Sequence, residues 1–287
     1  MNIDIEKAYD TIVMGTAKFF KERGFEKAVY RIVRWYRLGG NFFARDRLRL
    51  GPENVIGVAM PSHFSSEESY EDAKQLVDNL GIDFKYIPIN KPHQAMLKNL
   101  ADSLDIDIAE IEGTVVDENI QARLRMVQLM ALCNKYHALL IDTGNSTEYY
   151  LGYATLYGDL AGSIAPIVGL NKTEVYEMGR HINNVALELQ PGKEIIPERI
   201  FKKKPSAELC DGQTDPFDYT VYSVMVDEIV LEGAVTADMK KRYDEDDLER
   251  ARSLIEKSLF KRLQSPPGIE LKKELGAENK DKLRVIG

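Results

Sequence analysis

The run ALLIDTGNSTEYYLG, residues 138–152, passes from a short apolar segment through small polar residues into the start of a helix. ALLID (138–142) has the length and character of a buried strand. A turn of small polar residues at the carboxyl end of a strand, leading into a helix, is where an open α/β sheet binds ligands. Thr143 and Ser146 offer hydroxyls there, Asn145 an amide, and Glu148 a carboxylate one turn into the helix. Farther on, GLNKTEVYEM (169–178) opens a second helix with Lys172 near its N-terminus. A cation and amide donors together at a helix start suit phosphate. The same residue types also serve as plain helix caps.

Outward from this run, strands and helices alternate. Ile3, Ile5, Tyr9, Ile12, Val13, Phe19 and Phe20 recur at helical spacing. NVIGVAM (54–60) reads as a buried strand. In PSHFSSEESYEDAKQLVDNLG (61–81), Ser65 or Ser66 caps a helix, Glu68 completes a capping box and Gly81 ends the helix. IDFKYIPIN (82–90) reads as another strand, and residues 118–137 as a long helix. This alternation predicts an α/β fold, an open parallel sheet with helices on both faces. The last third is helical and charged, and LQSPPGIELKKELGAENKDKLRVIG (263–287) is expected to be a mobile tail.

With 287 residues, 44% hydrophobic and 29% charged, the chain has the composition of a globular protein. No apolar run is long enough for a membrane-spanning helix, and MNIDIEKAYD lacks the features of a signal peptide. Cys133 and Cys210 have no metal-ligand spacing and are expected to be reduced thiols of a cytoplasmic protein. A net charge of −8 argues against nucleic acid as a partner, so an anionic substrate needs a local cluster of cations.

In order, TGNSTEYYLGYATLYGDLAG (143–162), Pro166, LNKTEVYEMGR (170–180), IIPERIFKKKPSAELCDGQTD (195–215) and KSLFKRLQSPPGI (257–269) resemble the ammonia-dependent NAD synthetases, which are N-type ATP pyrophosphatases. The resemblance runs from about Gly51 to Gly268 and is most specific over 142–215. It implies a Rossmann-like domain of the adenine nucleotide alpha hydrolase type over residues 1–268, followed by a tail over 269–287. The implied reaction is amidation of nicotinic acid adenine dinucleotide (deamido-NAD) with ammonia. ATP adenylates the carboxylate, pyrophosphate leaves, and ammonia attacks the acyl adenylate to give NAD and AMP. No side chain is implied as an acid–base catalyst; the work is positioning and electrostatics. Thr143, Lys172 and Ser206 match ATP-contacting positions, and Glu148 matches the Mg²⁺ ligand. Arg123, in NIQARLRM (119–126), and Lys261, beside Arg262, match contacts to deamido-NAD. Arg125, two residues past Arg123, faces elsewhere on the helix and reads as structural. Family members are homodimers, with residues 118–160 a candidate surface. Because only some two dozen residues precede the first expected strand, free ammonia is the implied nitrogen donor. Another ATP pyrophosphatase acting on a different acid, or an inactive homologue that only dimerises, are the competing readings.

Departures from the family pattern concern recognition. Leu156 stands where several members have lysine, Ser163 where an aspartate is usual, Asp142 where a glycine precedes Thr143, and Phe260 where tyrosine or histidine is usual. The gravest departure is YRIVRWYRLGGNFFARDRLRL (30–50), with six arginines and the only tryptophan. The resemblance requires an SGGxDS loop after the first strand, whose backbone N–H groups close around phosphate and whose aspartate holds Mg²⁺. No such motif is present. Read one nucleotide later, however, Trp35 (TGG) before Tyr36 (TAY) must give glycine, and the codons for residues 30–39 can give Ile-Gly-Leu-Ser-Gly-Gly-Ile-Asp-Ser-Ala. The expectation is a compensated frameshift across about residues 30–49. If those residues stand as written, activity is expected to be close to nil.

Overall fold

A computed structural model describes residues 3–32, 50–189, 194–202 and 204–271, together with the backbone of 285–286. Most of the anomalous stretch, residues 33–49, lies outside the described residues. The chain begins with helix α1 (Ile5–Arg23), capped by Asp4, whose carboxylate accepts from Lys7 N, and closed by Gly24 at φ 68°. Strand β1 (Lys27–Arg31) follows, then β2 (Val55–Ala59), helix α2 (Glu67–Leu80), β3 (Asp83–Tyr86), α3 (Asn90–Leu104), α4 (Val115–Tyr136) and β4 (Ala138–Ile141). All four strands are parallel, in the order β3-β2-β1-β4. The expected α/β architecture is therefore present, with the expected strands and helices within a few residues of their predicted ends.

Why this sequence folds so is visible in the two faces of the sheet. Side chains alternate along a strand, so Ala28, Tyr30, Val55 and Ile141 point to one face and Val29, Ile56, Val58 and Leu140 to the other. The first set joins Ile12, Phe19 and Phe20 of α1, Leu76 of α2, and Val175 and Met178 of a later helix. The second set meets Leu129 and Cys133 of α4. Burial on both faces explains why the strands read as unbroken apolar runs.

Ser66 caps α2 by accepting from Ser69 N, and Gly81 closes the helix at φ 68°. With Ser66 as cap, the third helical position is Ser69, so Glu68 falls one residue short of a capping box. Beyond β4 come α5 (Ser146–Leu151), α6 (Lys172–Leu189), α7 (Glu198–Lys202), α8 (Tyr219–Glu232), α9 (Met239–Arg242), α10 (Glu245–Lys257) and α11 (Leu259–Arg262). Tyr149, Tyr150, Tyr222, Met225 and Leu248 hold α5, α8 and α10 in a second apolar cluster.

The sheet extends past β4 by isolated bridges. Asp142 N donates to Ile164 O at 2.9 Å, Ser163 N to Leu140 O at 2.7 Å, and Ala165 N to Pro267 O at 2.8 Å. Gly162 lies so close to β4 that a Cβ there would meet Asp142 N at 2.9 Å. The segment expected to be a mobile tail begins instead as part of the fold. Gly268–Ile269 form β5, paired in parallel with β6 (Val285–Ile286), and Ile269 is buried in the main core. Residues 272–284 lie outside the described residues.

One feature of the central strand is anomalous. Tyr30 of β1 is fully buried, and its hydroxyl has no hydrogen-bond partner among the described residues. Burial pushes its pKa up. A buried hydroxyl without a partner costs stability, so Tyr30→Phe is expected to raise unfolding free energy by about 1 kcal/mol. Urea denaturation of both chains measures this; a destabilised phenylalanine variant would mean the hydroxyl is bonded.

Candidate active site at the carboxyl edge of the sheet

β1 has β2 on one side and β4 on the other, so the chain leaves the sheet in opposite directions around it. That is the topological switch point at which open α/β sheets bind ligands. Two clefts open there. One, of about 50 Å³, is lined by Arg31, Ile32, Met60, Ser66, Arg125 and Glu208 among others. The second, of about 30 Å³, lies toward β4 and includes Arg31, Arg125, Asp142, Thr143, Gly158 and Asp159. Arg31 and Arg125 line both.

At the end of β4 the polar turn folds as its residues dictate. Asn145 caps α5 by accepting from Glu148 N at 3.1 Å, and Glu148 Oε2 returns the contact by accepting from Asn145 N at 3.3 Å. The other carboxylate oxygen, Oε1, holds Lys172 Nζ at 2.6 Å. Both side chains are 3% exposed. Thr147 Oγ1 accepts from Lys172 N at 3.1 Å, which ties the start of α6 to that of α5. Thr143, Glu148 and Lys172 are thus brought to one strand end, and Lys172 meets Glu148 directly.

Lys172 has further neighbours. Its ammonium lies 5.0 Å from the Tyr219 ring centroid. Asp215 accepts from Tyr153 and Tyr219 hydroxyls at 3.2 and 2.9 Å. Burial raises the Asp215 pKa, and Lys172 opposes that shift. Asp215 belongs to the loop that carries Ser206. Ser206 Oγ donates to Gln213 O at 2.5 Å and accepts from Glu208 N at 3.1 Å, so the hydroxyl braces its own loop. Glu208, at φ 50°, accepts from Ser66 and Ser69 hydroxyls at the start of α2. The loop therefore spans from α2 to the neighbourhood of Lys172.

The second pair of expected residues converges on the loop after α5. Arg123, exposed on α4, donates from Nε to Leu156 O at 3.2 Å. Lys261 of α11 donates to Gly152 O and Ala154 O at 2.8 and 2.7 Å. Burial lowers the Lys261 pKa, Asp159 raises it and Arg123 lowers it. Arg262 is buried and clamps Tyr150 O and Ser258 Oγ, so both members of the basic pair grip the backbone between Tyr150 and Ala154.

Two positions acquire weight that the sequence did not give them. Arg125, read as structural, is 2% exposed and faces both clefts. Its inward direction follows from lying two residues, or roughly 200°, around the helix from Arg123. Asp159, inside the block YGD, accepts from Thr155 N at 2.6 Å and lies within electrostatic reach of Arg31, Glu148 and Lys261. For Mg²⁺, no group of three or more His, Cys, Asp or Glu among the described residues could hold a metal ion. Glu148 still fits a Mg²⁺ that takes its remaining oxygens from phosphate and water. Its buried carboxylate already pairs with one cation, the Lys172 ammonium.

Asp142 provides a pH-dependent property. Gly144 N and the Tyr149 hydroxyl donate to its two oxygens at 2.7 and 2.8 Å. Burial nonetheless pushes its pKa up to about 8. The unfolded carboxyl titrates near about 4, so between those values the folded state holds the extra proton. Stability is expected to fall as pH rises from about 4 to about 8, and to level above that. Asp142→Asn removes this slope, so its melting midpoint should gain on the parent chain at pH 8 relative to pH 5. Parallel slopes for the two chains would contradict the assignment.

Comparison with known proteins places the chain in a family of the same fold. Residues 42–265 match the family model described as NAD synthase. The glutamine-dependent NAD(+) synthetase of Aquifex aeolicus is 38% identical over 269 residues, covering 92% of this chain and 45% of that protein. The chain spans about half the length of the curated relatives it matches. Among solved structures, the NMN synthetase of Francisella tularensis aligns with a TM-score of 0.72 at 25% identity, over 91% of this chain and 97% of that one. The glutamine-dependent NAD+ synthetase of Acinetobacter baumannii, in complex with ADP, aligns with a TM-score of 0.62 at 26% identity, over 95% and 48%. With a polar strand end, a buried lysine–glutamate pair and a family match across most of its length, this chain belongs to the NAD synthase family.

Proposed function

We propose that this chain catalyses the ATP-dependent amidation of deamido-NAD to NAD through an acyl adenylate, releasing AMP and pyrophosphate. The observation that carries this reading is the buried Lys172–Glu148 pair at the starts of α6 and α5, beyond the strand end that carries Thr143, within the family-matched segment. A carboxylate is a poor electrophile, and adenylating it brings two polyanions together, so the site must supply fixed positive charge. In this reading Thr143, Lys172 and Ser206 contact ATP. Glu148 would hold Mg²⁺, which would supply positive charge against the phosphates, and Lys172 would exchange the carboxylate for a phosphate oxygen. Arg123 and Lys261 hold deamido-NAD, exchanging the loop carbonyls they now grip for substrate oxygens. Ammonia is the attacking nucleophile, whether it arrives free or is released from glutamine. Residues 1–268 act as one catalytic domain, to which Ile269 adds a buried contact, in a cytoplasmic protein whose Cys133 and Cys210 are free.

The phosphate loop belongs to the same proposal. The family match begins at residue 42, past Tyr30–Gly39, and Tyr30 buries a hydroxyl without a partner among the described residues. The shifted reading puts isoleucine at that position, the residue type a central strand favours. The buried hydroxyl supports the proposed compensated frameshift across about residues 30–49, of which the family match covers residues 42–49 as written. A second substrate, nicotinic acid mononucleotide, is suggested by the likeness to the Francisella structure.

The assay uses ATP, Mg²⁺ and ammonium or glutamine, with the dinucleotide and the mononucleotide as competing acceptors. A chain with the shifted residues over 30–49 is expected to form NAD from deamido-NAD and ammonium, while the chain as written is close to inactive. In the active chain, Glu148→Gln should lower kcat more than about 100-fold, and Arg123→Ala should raise KM for the dinucleotide about tenfold with less effect on kcat. Equal turnover by the two chains would sink the frameshift. Amidation of neither acceptor by either chain would sink the activity.

We also propose a homodimer through α4. Val116, Val127 and Met130 lie along one side of that helix, 49%, 67% and 44% exposed, an apolar stripe that a second copy would cover. Light scattering is expected to give twice the chain mass, and Val127→Lys to halve it. A monomer at every concentration rules the stripe out as a dimer surface.

A further inference from the structure

Arg125 stands out as a buried charge whose bonding is incomplete. Its Nε donates to Met60 O at 2.9 Å, just past the end of β2. Nη1 is buried and has no hydrogen-bond partner among the described residues. The guanidinium lines both clefts of the switch point, and so forms part of the wall between them. Arginine remains charged in proteins and has five N–H donors to satisfy. Burial disfavours the charged form, and Arg31 adds to that effect. Asp159 and Glu208 offset part of it from a distance, but Asp159 accepts from Thr155 N and Glu208 from two serine hydroxyls. A fixed, dry guanidinium with a spare donor facing two connected sides of a ligand site is arranged to receive an anionic oxygen.

We infer that Arg125 is a phosphate-binding residue, taking a terminal oxygen of a polyphosphate that lies across the mouth of the two clefts. The inference rests on the proposed adenylation for its choice of ligand, because a polyphosphate is the group such a reaction must hold and release. It gives Arg125 a role distinct from those of Lys172 and Arg123. Lys172 arrives from the start of α6 and is held by Glu148. Arg123 is exposed on the other side of α4. Arg125 is tied to Met60 O just past β2 and is already desolvated before a ligand arrives. A charge-assisted bond made there incurs little further desolvation of the protein.

Isothermal titration calorimetry of the full chain carrying the shifted residues over 30–49, the parent chain here, with inorganic pyrophosphate tests this, with nicotinate as a carboxylate comparison. Arg125→Met is expected to weaken pyrophosphate binding by about tenfold or more, and Arg125→Lys, which keeps charge but loses the planar fork, by less. Melting curves separate binding from a purely structural role. If Arg125 serves the ligand, the pyrophosphate-dependent rise in midpoint is lost or reduced while the unliganded midpoint changes little. If it is structural, the unliganded midpoint drops and pyrophosphate affinity stays as in the parent. Should Arg125→Met fail to fold, Arg125→Lys alone decides by the same measure. No pyrophosphate binding by the parent chain, unchanged affinity in the folded variants, or Arg125-dependent binding of nicotinate without pyrophosphate overturns the inference. A chain inert in the amidation assay that still binds pyrophosphate through Arg125 leaves it standing.

Discussion

The site depends on one ion pair. Lys172 and Glu148 sit at the starts of two different helices, each almost fully withdrawn from water, and meet at 2.6 Å. Breaking such a pair by removing one partner typically costs about 3–5 kcal/mol, although the intact pair adds little net stability. Its value is therefore positional. The pair fixes α6 against α5, and with them the turn that carries Thr143. The Thr147 hydroxyl on Lys172 N and the Asn145–Glu148 cap reinforce the same junction. A ligand that brings phosphate for the lysine and a metal for the carboxylate would exchange one balanced arrangement for another.

Around that junction the molecule places its charges in tiers. Asp215 and Tyr219 stand beside Lys172, while Asp159 lies within electrostatic reach of Glu148, Asp142 and Lys261. Lys261 and Arg123 grip carbonyls of one short loop from opposite elements. Carboxylates and cations interleave, which lets a chain of net charge −8 present cations to a polyanion locally. The loop of residues 204–218 bridges the tiers, latched to α2 by Glu208 and braced internally by Ser206.

Much of this was legible in the sequence because it follows from local rules. Strands buried on both faces must be apolar runs, so NVIGVAM and ALLID declared themselves. Helix starts must satisfy their N–H groups, so the positions of Asn145 and Ser66 carried information. The meeting of Lys172 with Glu148 was not legible from spacing, because it depends on how two helix starts fold together; the family resemblance gave each a ligand to contact but did not pair them. Arg125 shows the limit more sharply. Periodicity turns it inward, but only the fold reveals that inward here means toward two clefts rather than into the core. Glu208, in a left-handed conformation that glycine favours, gave no signal either, because its partners Ser66 and Ser69 are far away in the chain. Gly268–Ile269 look like the beginning of a loose end, yet the edge of the sheet recruits them.

The position of β1 at the centre of the sheet has an engineering consequence. Ile32 N is still tied to Val58 O at 2.8 Å, so the last anchored residue of that strand stands at the rim of the cleft it helps to line. Whatever peptide is spliced onto Ile32 starts from a socket that the neighbouring strands have already built. A glycine-rich loop placed there would start from backbone already fixed by β2, although the shifted residues over 30–49 would also replace Tyr30 and Ile32 of the core.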